Sequence, residues 1–446
     1  MRKLLVALVA TFLMVPVAVV FGPSALGLTI GNATFNTPRP YAKDPGNFAI
    51  INRVERAIER TPGTPGLNVP PRHAIHITSF LLDRTSTVTE LIQACRRGVA
   101  VRVILDPDIQ NRNSRRLIAA LNGDNLDGAN HAPERGRCNR DLRSSRTGAT
   151  VEEQNATMTS KQLVNSVDAR LEGAAEWGGD GSYVKRCRAG CRTGRGNMHM
   201  KIFLFTRAEG ARNVVMVSSS NLNRGGAKLG WNDMYVMKGK ERSYDAYVRW
   251  HREMTAEERP PGQMREIIQG PFTTRFFPVA GGINVDPVMA DLRTIRCGSD
   301  LGRTRIHVSM FYWKGTRGNY IASKLLDLAR NGCAVKIIYG APSVQIAERL
   351  RDAARRGLIR LYDSRWDYND DGWNEVRTHC KYVLVRGTYR GDRSTRVVMT
   401  GSPNWVAGSL SKGDESTLNI ELGSAYNAYL RSWETIRNHS RRIPRR

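Results

Sequence analysis

Beyond its first 27 residues the sequence has no apolar run that approaches membrane-spanning length, so a soluble mature protein is expected. Acidic residues are scarce: 41 Asp and Glu stand against 68 Lys and Arg, which gives a formal charge of +27. Such an excess attracts nucleic acids, acidic cell-wall polymers or anionic membrane surfaces, without choosing among them. The composition is otherwise that of a globular protein, which excludes disordered and collagen-like classes.

The apolar segment at residues 1–27 has the layout of a secretory signal peptide. Arg2 and Lys3 precede the apolar run, and small residues follow it up to about Ala25. The run is nearly long enough to span a bilayer, so an uncleaved anchor is the alternative. We predict a secreted protein, extracellular or associated with the cell envelope, whose charge falls from +27 to +25 when Arg2 and Lys3 are removed.

Cysteine is also scarce, with seven residues in the whole chain. In an exported protein seven cysteines allow disulfides and leave at least one thiol over. Cys138, Cys187 and Cys191 share one polar segment, and we predict a bridge from Cys138 to Cys187 or Cys191. Three cysteines without a matched histidine make a poor zinc site, so zinc is not expected there.

Most of the chain consists of one pattern that occurs twice. Strand-like segments at 74–82 and 305–313 superpose residue for residue, and each precedes an amphipathic helix that ends at Gly98 or Gly332. A buried-type strand follows each helix, and this order predicts a βαβ unit with parallel strands. We therefore predict a duplication, with a first half at 28–262 and a second half at 263–446.

The two halves differ mainly between their βαβ units and the histidine-bearing strands that follow. In the first half, residues 107–197 lie at this point and are rich in Gly, Asn, Arg and Ser. This composition predicts a surface insertion rather than a part of the core.

Each half then contains a His-x-Lys triplet, an apolar strand and a Ser-x-Asn turn. The members of this set, with an acidic residue further along in each half, are His199, Lys201, Ser219, Asn221 and Asp233, matched by His379, Lys381, Ser402, Asn404 and Glu421. Because residues two apart in a strand point the same way, the His and Lys of each triplet should face one cleft. Met200 and Cys380, between them, should then point into the core.

These motifs resemble the signature of the phospholipase D superfamily, which is His-x-Lys, four residues, Asp, and then Gly-Ser-x-Asn. The resemblance covers nearly all of the chain after residue 27. Thr206 and Arg386 stand where the Asp is expected. In the first half, Ser218 stands where the glycine is expected. Several branches of the superfamily lack that Asp, which is remote from the phosphorus, so its loss bears on the sub-family more than on activity.

The resemblance implies an α/β fold with two homologous α-β-α sandwich halves, whose mixed, largely parallel sheets pack about a pseudo-twofold axis with the active site at their interface. It implies that His199 attacks phosphorus and that His379 acts as acid and then as base, although the symmetry allows the reverse assignment. The groups expected to hold the phosphate oxygens are Lys201, Lys381, Asn221, Asn404, Ser219 and Ser402.

Asp233 and Glu421 are predicted to orient the two histidines by accepting a hydrogen bond from the far ring nitrogen. No metal or other cofactor is expected, because two lysines already supply positive charge. A monomer is expected as well.

The predicted function is phospholipase D activity through a covalent phosphohistidine, and the alternative is a secreted nuclease acting on DNA or RNA. The resemblance implies that two copies in one chain favour the lipid substrate, because the superfamily's simplest nucleases carry a single copy and dimerise. The positive charge favours nucleic acid. An anionic membrane surface is a possible partner for the same charge. A non-catalytic phosphate-binding protein is the third hypothesis, and the intact His-x-Lys triplets argue against it.

A loop just before His379 carries two further signals. Its residues 367–373 copy the start of a calcium-binding loop, but Thr378 stands where the bidentate Glu should be, so calcium is not favoured. Trp366, Tyr368 and Trp373 are predicted to line the mouth of the cleft, where they could enter a lipid interface or stack on bases.

Overall fold

The computed structural model describes residues 28–64, 71–106, 111–122, 181–187 and 189–445. Within them the chain forms two large mixed sheets, whose strands are numbered in chain order. The first sheet contains, in spatial order, β1 (Leu28–Ile30), β2 (Ala33–Phe35), β9 (Asp233–Met237), β7 (Ala211–Ser218), β6 (Ile202–Ala208), β3 (Ala74–Ser79), β4 (Ala100–Leu105) and β5 (Tyr183–Arg186).

The second sheet repeats this order and adds one strand. It contains β10 (Arg265–Gln269), β11 (Phe272–Phe277), β20 (Glu415–Ile420), β19 (Asp392–Gly401), β18 (Lys381–Tyr389), β14 (Arg305–Trp313), β15 (Ala334–Pro342), β16 (Arg360–Asp363) and β21 (Arg441–Arg442). In both sheets three neighbouring strands, β3-β4-β5 and β14-β15-β16, run parallel. The predicted duplication therefore has a counterpart in strand order and direction.

Two small two-stranded sheets complete the strands. One joins β12 (Gly298–Ser299) to β13 (Gly302–Arg303), and the other joins β8 (Gly230–Trp231) to β17 (Arg377–Thr378). The second pair links the two halves, since β8 precedes β9 of the first sheet and β17 precedes β18 of the second.

The helices cover the outer faces of both sheets and fill the space between them. They are α1 (Ala49–Glu59), α2 (Thr85–Arg96), α3 (Arg112–Asn122), α4 (Arg224–Leu229), α5 (Glu241–Thr255), α6 (Pro287–Thr294), α7 (Gly315–Arg330), α8 (Val344–Arg355), α9 (Ala407–Ser411) and α10 (Gly423–Asn438), with a 3-10 turn at Gly46–Phe48. None of these helices is long and apolar enough to cross a bilayer.

Glycine ends the crossover helix of each half, as the sequence predicts. Gly98 and Gly332 have φ of +80° and +100°, and the residue after each donates its amide hydrogen bond back into the helix. A side chain is strained in this left-handed conformation, so glycine suits the position. The chain then turns directly into β4 or β15 and forms the two predicted βαβ units.

The core has three layers of apolar side chains. Helices α1 to α3 pack on the outer face of the first sheet, and α6 to α8 pack on the outer face of the second. Between the sheets, α5 and α10 contribute Trp250, Tyr429 and Trp433 to a layer shared by both halves. Burial of large aromatic side chains here holds the halves against each other.

The predicted surface insertion at 107–197 is wrong in part. Helix α3 and strand β5 fall inside it, and Leu117, Ile118 and Leu121 of α3 are buried in the first core layer. These two elements correspond to α8 and β16 of the second half, so they complete the repeated unit. Polar and basic residues on the outer side of α3 give the segment a polar composition, so its half-buried helix was not predicted. Residues 123–180 lie outside the described residues.

Two disulfides are present in the described part of the chain. Cys187 is bonded to Cys191, and Cys297 is bonded to Cys333. The predicted bridges from Cys138, a residue outside the described part, to Cys187 or Cys191 are therefore wrong. Cys187 and Cys191 are four positions apart and are joined across a tight turn, and their spacing in the sequence did not predict that turn.

Candidate active site

The two His-x-Lys triplets lie at equivalent edges of the two sheets. Lys201 precedes β6 directly and Lys381 begins β18, and these strands are antiparallel neighbours of β3 and β14. Met200 and Cys380 are fully buried in the layer between the sheets, and the Cys380 thiol is free, as predicted for core residues.

Each triplet is anchored by the other half of the chain. The backbone N–H of His199 donates to the carbonyl of Asp414 at 3.1 Å, and the N–H of His379 donates to the carbonyl of Trp231 at 2.8 Å. The two contacts are related by the duplication. Asp414 precedes Glu415, whose side chain contacts the His199 ring, and Trp231 precedes Asn232, whose side chain contacts the His379 ring. The site is therefore assembled from both halves.

His199 is held by a carboxylate. Its Nδ1 atom lies 3.0 Å from both carboxylate oxygens of Glu415, and the Glu415 side chain is 1% exposed. A carboxylate accepts hydrogen bonds and does not donate them, so Nδ1 carries the proton. The lone pair of the neutral ring then lies on Nε2.

His379 is held by an amide. Its Nδ1 atom lies 2.8 Å from Oδ1 of Asn232. The Nδ2 group of Asn232 donates to the carbonyls of Gly226 and Gly230 at 3.2 and 3.0 Å, which fixes the orientation of the amide. Its oxygen must therefore face the ring, and His379 also carries its proton on Nδ1.

The predicted orienting residues Asp233 and Glu421 do not contact the histidines. Asp233 is buried between the halves, where it accepts hydrogen bonds from Thr400 at 2.5 Å and Tyr429 at 3.1 Å. Glu421 is exposed just after β20. The orienting role that was predicted for them is taken by Asn232 and Glu415.

Spacing from the Ser-x-Asn turn could have identified the correct pair. Asn232 follows Ser219 and Glu415 follows Ser402 by the same interval of thirteen residues, whereas Asp233 and Glu421 stand at unequal intervals. A pattern of two acids does not include this match, because one of the two partners is an amide. The serines confirm the equivalence: the Oγ of each accepts from the backbone N–H that follows the orienting residue.

Both lysines are buried beside the histidines. Lys201 and Lys381 are 0% and 4% exposed, and each ammonium donates to the carbonyl of the histidine two positions earlier. Burial lowers the pKa of both lysines, and that of Lys381 falls to about 8 although Glu415 opposes the shift. Their remaining donors can bind an anion in the cleft.

A pair of phenylalanines that the sequence analysis missed flanks the triplets. Phe80 lies 5.4 Å from the ring of His199, and Phe311 lies 4.7 Å from the ring of His379. The ammonium groups of Lys201 and Lys381 stand 5.6 and 5.2 Å from the same two rings. The superposition of 74–82 on 305–313 already matched Phe80 with Phe311, so the signal was present.

The Ser-x-Asn turns place two amides with spare hydrogen-bonding capacity near the triplets. Asn221 and Asn404 are 7% and 9% exposed, and within the described chain the side-chain oxygen of each lacks a hydrogen-bond partner. Buried polar atoms are usually satisfied, so the two unpaired acceptors mark amides that are free to contact a polar ligand. Ser219 and Ser402 are fully buried and brace Asn232 and the Glu415 strand instead of facing a ligand directly.

The charges in the cleft affect both histidines, but unequally. Burial lowers the pKa of His199, while the charge of Glu415 raises it again. Burial lowers the pKa of His379 well below its usual value, and Lys381, Lys201 and His199 lower it further. For Glu415, burial favours the neutral acid, but His199 and Lys201 prevail and hold its pKa at about 2. The positive charge of a protonated His199 would thus be balanced by Glu415, whereas His379 has no carboxylate beside its ring.

The departures from the signature lie away from this cluster. The hydroxyl of Thr206 donates to the carbonyl of Ala74 at the far end of β3, and Arg386 donates to the carbonyl of Leu301. Ser218 donates to the carbonyl of Asp233 and accepts from the N–H of Ser220, so its side chain braces the turn. All three have local structural partners, and the cleft keeps its polar groups.

One group of carboxylates in the described chain has the geometry to hold a metal ion. Oxygens of Asp367, Asp371 and Glu375 lie within 4.8 Å of one another. These residues belong to the loop that resembles the start of a calcium site, and the group includes neither of the two histidines.

A family model described as "Cardiolipin synthase, PLD-like domain" matches residues 71–254 and 300–436. The two matched ranges fall in the two halves and include both His-x-Lys triplets. A search of curated proteins finds no match.

Two solved structures share the fold along most of this chain. Phosphatidylserine synthase from Haemophilus influenzae is 13% identical, with a TM-score of 0.50 over 94% of this chain and 89% of its own. Polyphosphate kinase from Porphyromonas gingivalis is 12% identical, with a TM-score of 0.50 over 91% of this chain. The present chain covers half of the kinase's length. At these identities the similarity concerns the fold.

Proposed function

The chain belongs to the family of phospholipase D-like domains, and on that basis we propose that it is a secreted phospholipase D that hydrolyses the terminal phosphodiester of phospholipids without a metal cofactor. The observation that carries the proposal is the unequal support of two histidines in one cleft. His199 faces a carboxylate and His379 faces an amide, so the two rings suit two different tasks.

In the first step, Nε2 of His199 attacks phosphorus and displaces the head-group oxygen. The ring becomes a positively charged phosphohistidine, and Glu415 stabilises that charge through Nδ1–H. His379 gives the proton from its Nε2 to the leaving oxygen. A neutral amide partner leaves the His379 imidazolium a strong acid, which favours this transfer.

In the second step, the neutral His379 removes a proton from water, and the resulting nucleophile attacks the phosphohistidine. The P–N bond breaks, the phosphate monoester leaves, and His199 returns to its neutral form with the proton still on Nδ1. His379 is protonated again and ready for the next cycle. Burial lowers the pKa of His379, and repulsion by Lys381 and Lys201 lowers it further. The phosphate's own negative charge, placed between the lysines, offsets that repulsion.

The phosphate is held by Lys201, Lys381, Asn221 and Asn404. The lysines supply positive charge in a buried setting, where it acts more strongly than in water. The Nδ2 groups of the two asparagines complete the shell as neutral hydrogen-bond donors. Two ammonium groups and two amide donors around one phosphate can stabilise the developing charge without a metal ion.

A lipid substrate is supported by the presence of both halves in one chain and by the shared fold with a phosphatidylserine synthase. A nuclease is the second candidate, because the charge of +27 suits a nucleic-acid backbone. Export is supported by the signal-like segment at 1–27 and by the disulfides Cys187–Cys191 and Cys297–Cys333.

The deciding experiment compares substrates side by side in EDTA. Phosphatidylcholine vesicles, single-stranded DNA and double-stranded DNA are each incubated with the protein, and the His379→Ala variant serves as the blank. Head-group release that depends on His379, without DNA cleavage, is expected. DNA cleavage alone would make the protein a nuclease, and a requirement for a metal would contradict the proposed chemistry.

A further inference from the structure

The loop that leads into His379 displays large apolar side chains to solvent. This aromatic loop, residues 364–378, contains Trp366, Tyr368 and Trp373, which are 51%, 42% and 76% exposed. They are three of the eight large apolar side chains that are exposed in the described part of the chain. Exposed aromatic residues in one place usually mark a contact surface.

The aromatic loop has a fixed base. The N–H of Trp366 donates to the carbonyl of Val376 at 2.9 Å, and the N–H of Val376 donates back to Trp366 at 3.1 Å. This pair of hydrogen bonds closes the segment 367–375 into a tip whose residues are exposed or half-buried. Tyr368 and Trp373 lie within that tip, so their exposure follows from the shape of the loop.

The aromatic loop stands beside the active site. Thr378, its last residue, precedes His379, and the guanidinium of Arg377 lies 5.4 Å from the Phe311 ring that packs against His379. Val344, which is 75% exposed, begins α8 immediately after the neighbouring strand β15. Because β15 and β16 run parallel, the loops that follow them leave the same edge of the sheet.

The tip is acidic in a protein that is otherwise strongly basic. Residues 367–375 contain Asp367, Asp370, Asp371 and Glu375 and no lysine or arginine. Four carboxylates repel the phosphate backbone of a nucleic acid and the head groups of an anionic lipid. An aliphatic side chain such as Val344 also adds nothing to stacking on bases.

The same features suit a bilayer of zwitterionic lipid. Trp and Tyr rings favour the head-group layer of a membrane, where one end of the ring is apolar and the other is hydrated. The outermost charge of a choline or ethanolamine head group is a cation, which complements the carboxylates of the tip. A quaternary ammonium group also binds well to the faces of aromatic rings.

We propose that the aromatic loop, together with Val344, docks the protein on zwitterionic phospholipid bilayers and so presents the cleft to the head groups. This rests on the proposed function only in taking lipid as the substrate. Docking itself is measured without turnover, so it can succeed or fail independently of catalysis.

The test is co-flotation of the protein with phosphatidylcholine vesicles. Trp366→Ala/Trp373→Ala should weaken binding at least roughly tenfold, because most of the inserting ring surface is lost. The matched control is Ile268→Ala, which removes an apolar side chain that is 53% exposed on β10, and it should bind as the unaltered protein does. Trp366→Phe/Trp373→Phe should restore most of the binding.

Turnover of the soluble diester bis(p-nitrophenyl) phosphate shows whether each variant keeps an intact cleft. All three variants should hydrolyse it within about twofold of the unaltered protein, since none of the altered residues touches the histidines. If the unaltered protein fails to float, or the double alanine variant floats equally well, the docking proposal is wrong. If the double alanine variant loses single-stranded DNA binding while vesicle binding stays, the loop is a base-stacking surface instead.

Discussion

Glu415 reaches across the interface between the two halves and places its carboxylate 3.0 Å from Nδ1 of His199. The equivalent residue of the first half, Asn232, places a neutral amide on His379. The two histidines are therefore chemically unequal although the strands that carry them are equivalent. This inequality leads to the first two predictions.

Replacing Glu415 by Gln should lower kcat on bis(p-nitrophenyl) phosphate by roughly 10²- to 10⁴-fold, as loss of a carboxylate behind a catalytic histidine does elsewhere. The variant loses the charge that stabilises the phosphohistidine, and KM should change little. Glu421→Gln is the matched control, because Glu421 is exposed and remote, and its kcat should be unchanged. Equal losses in the two variants would contradict the assignment of Glu415.

The nucleophile can be identified by a burst experiment. p-Nitrophenolate leaves without a proton, so His379→Ala should still complete the first step and release about one equivalent of p-nitrophenol. Steady turnover should fall by more than roughly 10³-fold because no base activates water. Mass spectrometry should find the phosphoryl adduct on His199, and His199→Ala should give no burst. An adduct on His379 would reverse the two roles.

The activity should fall on the alkaline side near pH 8. Burial lowers the pKa of Lys381 to about 8, so this side chain is charged below that pH and neutral above it. Loss of the charge weakens phosphate binding, so kcat/KM on bis(p-nitrophenyl) phosphate, whose leaving group takes no proton from His379, should decline as pH rises through about 8. The decline in kcat should come at higher pH, since bound phosphate favours the charged lysine. A kcat/KM profile that stays level to about pH 9.5 would contradict this.

Asp414 should make the protein less stable as pH rises. Burial raises the pKa of this carboxyl to about 7, above the value of about 4 in an unfolded chain. Between these values the folded state binds the extra proton, so the free energy of unfolding falls as pH rises and levels off above pH 7. The shift of about three pH units corresponds to at most ~4 kcal/mol.

The check is thermal unfolding of the protein and of Asp414→Asn between pH 4 and pH 8. The amide cannot ionise, so the variant should lose most of this slope. Asp327→Asn is the matched control, because Asp327 is exposed on α7, and this variant should keep the slope. An unchanged slope in Asp414→Asn would mean that other groups govern this pH range.

Local sequence patterns predicted the repeated parts of this fold well. The βαβ units, the glycines at 98 and 332, and the inward direction of Met200 and Cys380 all follow from periodicity and strand alternation. These features depend on neighbours in sequence. A duplicated pattern also supplied an internal comparison that a single copy would lack.

Contacts between the halves were harder to predict. Asn232 and Glu415 act on histidines that lie 147 and 216 positions away, and only the common interval from Ser219 and Ser402 connects them. Helix α3 was missed because its composition is mostly polar, and the Cys187–Cys191 bridge depends on a turn that the sequence did not reveal. Each error concerns geometry that tertiary packing determines.

The crosswise placement of Asn232 and Glu415 also bears on how such a protein could arise. In a dimer of identical halves, twofold symmetry would give both histidines the same partner, since any residue present on one side is present on the other. Joining the halves into one chain removes this constraint, and each copy can then change alone. Here one histidine kept or acquired an acid and the other an amide. Covalent fusion thus permits the two histidines of a duplicated site to have different partners.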